Sequence, residues 1–308
     1  MGDAISGLQW CAVQLGQVDR AIAVAERYAK LFPTSPIADD LLMRVGDLLF
    51  NLGDFNRAAE QYEKMTLDYP RSELVPAAIY WRGRSLEEAG DTTGALDAWS
   101  SLIKRNGRDE ATAQALFRSG RLHLAKGDTS TALKTLADLR EKISQTDIAR
   151  DARLLEGTIL RIRGNSSLAV ELLQPLAEEK SPDLVSHRAA IEIARAYCNL
   201  GKLEQAFRLV DNVANKRADE VGAEAQFETG VILEKLGRNE QALDAYLKVK
   251  YIFGAYSEWV APAVIAAARL QVAAGETNEA RRLLEQLKRD HGEDEWGKKA
   301  GEMIKGLP

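Results

Sequence analysis

Apolar residues return along this chain with the period of an α-helix. Leu41, Leu42, Val45, Leu48 and Leu49 follow an i, i+3, i+4, i+7, i+8 pattern before Gly53, and Ala58, Ala59, Tyr62 and Met65 continue it after the glycine. This pattern predicts two amphipathic helices joined by a tight turn. The phrase at the turn, a glycine followed five residues later by an alanine, recurs at Gly16/Ala21, Gly53/Ala58, Gly90/Ala95, Gly127/Ala132, Gly164/Ala169, Gly201/Ala206, Gly237/Ala242 and Gly275/Ala280. Successive glycines lie 37, 37, 37, 37, 37, 36 and 38 residues apart, a period that marks a repeat architecture. Each landmark glycine reads as the residue that closes a helix in the left-handed conformation, and a polar residue follows it, as in Gly53-Asp54, Gly90-Asp91 and Gly127-Asp128.

A second column stands seven residues before each glycine: Gln9, Gly46, Gly83, Gly120, Gly157, Ala194, Gly230 and Ala268. Small residues on one rung predict close approach of a second helix. The connectors Phe32-Pro33-Thr34-Ser35-Pro36, Tyr69-Pro70-Arg71-Ser72 and Ser181-Pro182-Asp183 carry proline to end the second helix and Ser or Asp to cap the next. Repeats are therefore expected at about 2–38, 39–75, 76–112, 113–149, 150–186, 187–222, 223–260 and 261–292. In residues 293–308, Trp296, Ala300, Met303 and Ile304 mark one face of a capping helix. At the other end Ile5, Leu8 and Ala12 lack a preceding neighbour, so the chain is expected to be excised from a longer protein or to self-associate there.

These features resemble the tetratricopeptide repeat family. Leu42, Val45, Gly46, Leu49, Gly53, Asp54, Ala58, Tyr62, Met65 and Pro70 fall where that family's signature residues fall, and the resemblance runs from about Gly2 to His291. The family's usual repeat is about 34 residues, and the extra residues here fit longer connectors. The resemblance implies an all-α fold, a right-handed α-solenoid of eight helix-turn-helix repeats in one superhelical domain spanning 1–308, with the first helix of each repeat on the concave surface. The Tyr-Pro-x-Ser connector, with these long repeats, is similar to bacterial cell-envelope members, which implies a periplasmic or cell-envelope setting.

Composition narrows the function. Of 308 residues 45% are hydrophobic and 28% charged, with a mean hydropathy of −0.27, so enough apolar surface exists to offset chain entropy. Forty-one basic against 46 acidic residues give a net charge of −5, which argues against a general nucleic-acid binder. Two cysteines exclude a disulfide scaffold or a multi-cysteine zinc site. No stretch approaches the roughly 20 apolar residues of a membrane span, and the opening residues Met1-Gly2-Asp3-Ala4 show neither the basic nor the apolar region of a signal peptide.

The chain shows no P-loop, HExxH, GxSxG or glycine-rich dinucleotide turn, so neither an enzyme nor a cofactor or metal site is expected. His123, His187 and His291 lie far apart in sequence; His123 reads as a packed core residue and Cys11 and Cys198 as small buried hydrophobes. Glu87-Glu88 and Glu178-Glu179 read as solvated helix faces.

The column six residues before each glycine, on the expected concave face, is Trp10, Asp47, Arg84, Arg121, Thr158, Arg195, Val231 and Arg269. One helical turn earlier the column is Ser6, Met43, Tyr80, Phe117, Leu154, Ile191, Phe227 and Ile265. Arg84, Arg121, Arg195 and Arg269 with Tyr80, Phe117 and Phe227 are the candidate partner-binding residues, suited to a protein or peptide carrying acidic and apolar groups. The competing reading is that these arginines lie along apolar neighbours or pair with acids; Arg121 and Arg269 have none three or four residues away. The apolar column has no lysine, so the carboxylate-holding mode of chaperone-binding family members finds no support. Tyr251, Ile252, Phe253, Tyr256 and Trp259 read as packing between repeats. The leading function is a non-enzymatic interaction scaffold. The alternatives are an accessory region of a larger enzyme or a self-assembling array.

Overall fold

The computed structural model describes residues 7, 10, 11, 14–144 and 146–307. Ile5, Leu8, Gln9 and Ala12 lie outside them. Among the described residues there are sixteen helices and no strands: α1 Val18–Leu31, α2 Ala38–Asn51, α3 Phe55–Asp68, α4 Val75–Glu88, α5 Thr92–Lys104, α6 Glu110–Ala125, α7 Thr129–Lys142, α8 Asp147–Ile162, α9 Ser166–Ala177, α10 Leu184–Asn199, α11 Leu203–Ala214, α12 Glu220–Lys235, α13 Asn239–Ile252, α14 Ser257–Ala273, α15 Thr277–His291 and α16 Glu295–Lys305. The chain forms two compact units, Met1–Ala152 and Arg153–Pro308.

The turn inside each helix pair follows from its glycine. Gly53 and Gly90 have φ of 79° and 85°, a region a side chain would strain, and the other landmark glycines share it. The residue after the glycine then starts the second helix. Asp54, Asp91 and Asp128 accept from the backbone N–H of Arg57, Gly94 and Thr131, each satisfying a donor that the helix start leaves open. Asn165, Lys202, Arg238 and Glu276 occupy the same place without a side-chain cap bond.

The small column brings the two helices of a pair together. A Cβ on Gly46 would sit 2.5 Å from Tyr62, on Gly157 2.5 Å from Leu173 and on Gly230 2.5 Å from Tyr246; Gly83 meets Trp99 in the same way, and Gly120 meets Leu136. In every case the large partner lies sixteen residues on and is fully buried, so each first helix lends its missing side chain as room for a ring or isobutyl group from the second. Tyr62 and Tyr246 also reach past the glycine: their hydroxyls donate to Asp47 and Glu234, both at 2.7 Å. Burial, reinforced by that carboxylate, pushes each phenol above its ordinary pKa.

Two connector readings need correction. Ser35 and Ser72 do not cap α2 and α4, whose N-cap residues are Ile37 and Leu74 without side-chain bonds. Each serine sits two residues too early, and its hydroxyl accepts the Ile37 or Leu74 N–H at 3.5 or 3.0 Å to form a local turn. Asp183, by contrast, caps α10 in a reciprocal pair with Ser186. At the C-terminal end α16 packs on α15, with Ala300 fully buried and Trp296, Met303 and Ile304 partly so.

Candidate partner-binding face

Within each unit, the first helices of neighbouring pairs touch: α4 packs on α6, α10 on α12 and α12 on α14, while second helices stand further apart. Between second helices this leaves open clefts of about 650 Å³ over Leu42 and Tyr69, and about 410 Å³ over Ser119 and His123. The close-packed side therefore belongs to the first helices, and there one register repeats. A residue three before a landmark glycine meets one 31 residues later. In the N-terminal unit the Phe50 and Trp81 rings lie 5.2 Å apart edge to face, and Arg118 Nη1 donates to Glu87 at 3.1 Å. In the C-terminal unit Arg161 Nε donates to Glu192 at 2.7 Å, with the charges reversed.

In the N-terminal unit, Arg84 Nη1 donates to Glu87 at 3.0 Å and Nη2 to Glu88 at 2.8 Å, and its guanidinium lies 6.0 Å from the Phe50 ring. Tyr80 is buried against Trp81, and its hydroxyl accepts from Arg118 Nε at 3.2 Å. Burial raises the Glu87 carboxyl above its usual range despite Arg84 and Arg121 nearby. Glu87 is thus a half-buried hub and not the solvated residue expected from the Glu87-Glu88 pair in sequence. Phe117 is half-buried and Arg121 exposed.

In the C-terminal unit, Arg195 is held by three carboxylates: Glu192 at 2.6 Å, Glu228 at 2.7 Å and Glu224 at 2.9 Å. Burial opposes its charge, but Glu228, Glu192 and Glu224 outweigh that and keep the guanidinium above its ordinary pKa. Burial also raises the Glu224 carboxyl. Arg269, with no acid three or four residues away on its own helix, pairs across to Glu234 at 2.7 Å. Phe227 stacks between Tyr246 at 5.6 Å and Trp259 at 5.8 Å.

The seven candidate residues thus fall into two groups, Tyr80, Arg84, Phe117 and Arg121 in one unit and Arg195, Phe227 and Arg269 in the other. Phe50, Trp81 and Arg118 join the group in the N-terminal unit, and Arg161, Glu192, Glu224, Glu228 and Glu234 that in the C-terminal unit. For Phe50, Trp81, Arg118, Arg161 and Glu192 the signal was the 31-residue offset between two further columns, which a search within single helices does not test; Glu224, Glu228 and Glu234 carry no such signal. Three other readings change. Cys11 is exposed and Cys198 only half-buried. His123 is half-buried rather than a core residue: it lines its cleft with Leu96 and Ile103, and its Nδ1 lies 3.7 Å from Asp128. Of the connector aromatics Phe253 is buried, but Tyr251 and Ile252 are 69% and 66% exposed, pointing off the end of α13.

The sequence matches the profile of a tetratricopeptide repeat-like domain over residues 89–255, more than half of its length, and that of a tetratricopeptide repeat over residues 10–73. The chain belongs to the tetratricopeptide repeat family. No curated protein matches it significantly. Among solved structures it is similar to the apo form of RapI (TM-score 0.65, 12% identity, covering 99% of this chain and 97% of that one). It is also similar to the C-terminal part of a TPR repeat-containing protein from Cytophaga hutchinsonii (0.63, 16%, 86% and 99%) and to a tetratricopeptide repeat protein from Parabacteroides merdae (0.50, 18%, 84% and 97%). At such identities the likeness shows the fold, an all-helical α-solenoid of helical repeats. The tetratricopeptide repeat fold is one of protein–protein interaction and is generally non-catalytic. Among the described residues no helix is long and apolar enough to cross a membrane, and no group of three or more His, Cys, Asp or Glu could hold a metal ion.

Proposed function

We propose that this tetratricopeptide repeat chain is a non-enzymatic scaffold that binds a protein or peptide on its first-helix side. The observation that carries the proposal is the face of α2, α4 and α6. There the half-buried rings of Phe50, Trp81 and Phe117 are framed by arginines fixed through Glu87 and Glu88. Aromatic and arginine side chains are the usual energetic centres of protein interfaces, and here they are held in place before any partner arrives. Because first helices close up while second helices part, this side is the inner one of each unit's curve.

Affinity capture from the source cell, with bound proteins identified and then purified, tests the proposal. Phe117→Ala on the face should weaken binding of the purified partner, and Leu67→Ala on the second helix α3, where Leu67 is 72% exposed, should leave it intact. The reverse pattern would place the interface elsewhere. The long repeats and the Tyr69-Pro70-Arg71-Ser72 connector support a bacterial envelope setting, which fractionation of the source cell checks.

A further inference from the structure

Of the four arginines six residues before a landmark glycine, three have their carboxylates on the same face. Arg84 has Glu87 and Glu88, Arg195 has Glu192, Glu224 and Glu228, and Arg269 has Glu234. Arg121 has no ion pair among the described residues. It projects from α6 one turn after half-buried Phe117 and one turn before half-buried Leu124. Glu87, whose carboxyl feels the charge of Arg121, is already engaged by Arg84 and Arg118. On this part of the face Arg84 and Arg118 share Glu87, Arg84 also takes Glu88, and Arg121 is the guanidinium of the three with no ion pair among the described residues, set beside apolar carbon.

We infer that Arg121 receives a carboxylate from the partner, carried by an acidic segment whose neighbouring aromatic or aliphatic side chains lie on Phe117 and Leu124. The inference rests on the first-helix side being the binding side. It goes further in naming the charge and the point of contact. The same helix geometry gives the electrostatic contact its selectivity. A basic segment brought to Arg121 meets a like charge, whereas an acidic one supplies the carboxylate that Arg121 lacks.

The test uses two labelled synthetic peptides, one alternating Glu with Leu and Phe, the other with Lys in place of every Glu, followed by fluorescence anisotropy on the full chain. The wild type is expected to bind the acidic peptide in preference. Arg121→Glu should cost roughly fivefold in affinity for it, the scale of one partly exposed ion pair, and should shift preference toward the lysine peptide. Arg121→Lys should keep the preference. Leu67→Ala, on α3, should change nothing. Absence of binding by the acidic peptide, equal binding of the two, or a preference untouched by Arg121→Glu would overturn the inference. If Phe117→Ala abolishes binding of the captured partner while Arg121→Glu does not, the interface stands and the assigned carboxylate contact falls.

Discussion

Glycine in the middle of a helix costs roughly 1 kcal/mol relative to alanine, yet five first helices here carry one at the same rung. The cost is met by what the missing Cβ admits. Tyr62 lies across Gly46 and Tyr246 across Gly230, each close enough that a methyl group would overlap the ring. Where the small residue is Ala194 or Ala268, the residue sixteen positions on is Val210 or Leu284, each smaller than the rings that face Gly46, Gly83 and Gly230, and both are fully buried. Gly46→Ala is therefore expected to destabilise by about 1–3 kcal/mol through overpacking. Adding Tyr62→Val, which copies the Ala194/Val210 pairing, should make the double variant less costly than the sum of the single changes. Chemical denaturation of the four proteins measures this; strict additivity would show that ring and backbone are not in competition. This column was legible in the sequence because it repeats at the helix-pair period, and its meaning, helix approach, needs no knowledge of neighbouring pairs. The roles of Ser35 and Ser72 were not legible, since a shift of two residues separates a cap from a local turn.

Between elements, the organising feature is the contact made 31 residues apart on first helices. The position is filled by aromatics at Phe50/Trp81 and by opposite charges at Glu87/Arg118 and Arg161/Glu192, in opposite order. Packing thus fixes the register, and chemistry distinguishes one junction from another. Exchanging the charges tests this. Glu87→Arg alone places a third guanidinium beside Arg84 and Arg118, whereas Glu87→Arg with Arg118→Glu restores one pair and leaves Arg84 with Glu88. A coupling energy of about 1 kcal/mol is expected from the cycle, given that Glu87 and Arg118 are about one-quarter exposed. A cycle without coupling would reduce the pair to a surface contact. The arginine column itself could be read from sequence, and so could the helices bearing it. The partners of Arg195 and Arg269 could not, because Glu224, Glu228 and Glu234 lie on neighbouring first helices and their reach depends on how the pairs pack.

For the molecule as a whole, repeat architecture makes stability local. Each helix pair gains its core from its neighbours, so the free energy is close to a sum over pairs and junctions. The buried clusters reflect this. One gathers Ala242, Tyr246 and Val249 with α14, α15 and Ala300, and another gathers Leu41, Leu42, Tyr62 and Met65 with α1 and Ala78. A defect placed in the first of these should be felt by its own unit before the other. Gly230→Ala forces Tyr246 out of its groove, and Tyr246 is in contact with Phe227 and hydrogen-bonded to Glu234, which also holds Arg269. Hydrogen exchange followed by mass spectrometry is expected to show lost protection in α12, α13 and α14, with α2 to α5 unchanged. Uniform loss along the chain would mean that the two units open as one, and that a partner bound on the face of α2, α4 and α6 reports on the stability of every helix rather than on its own junctions.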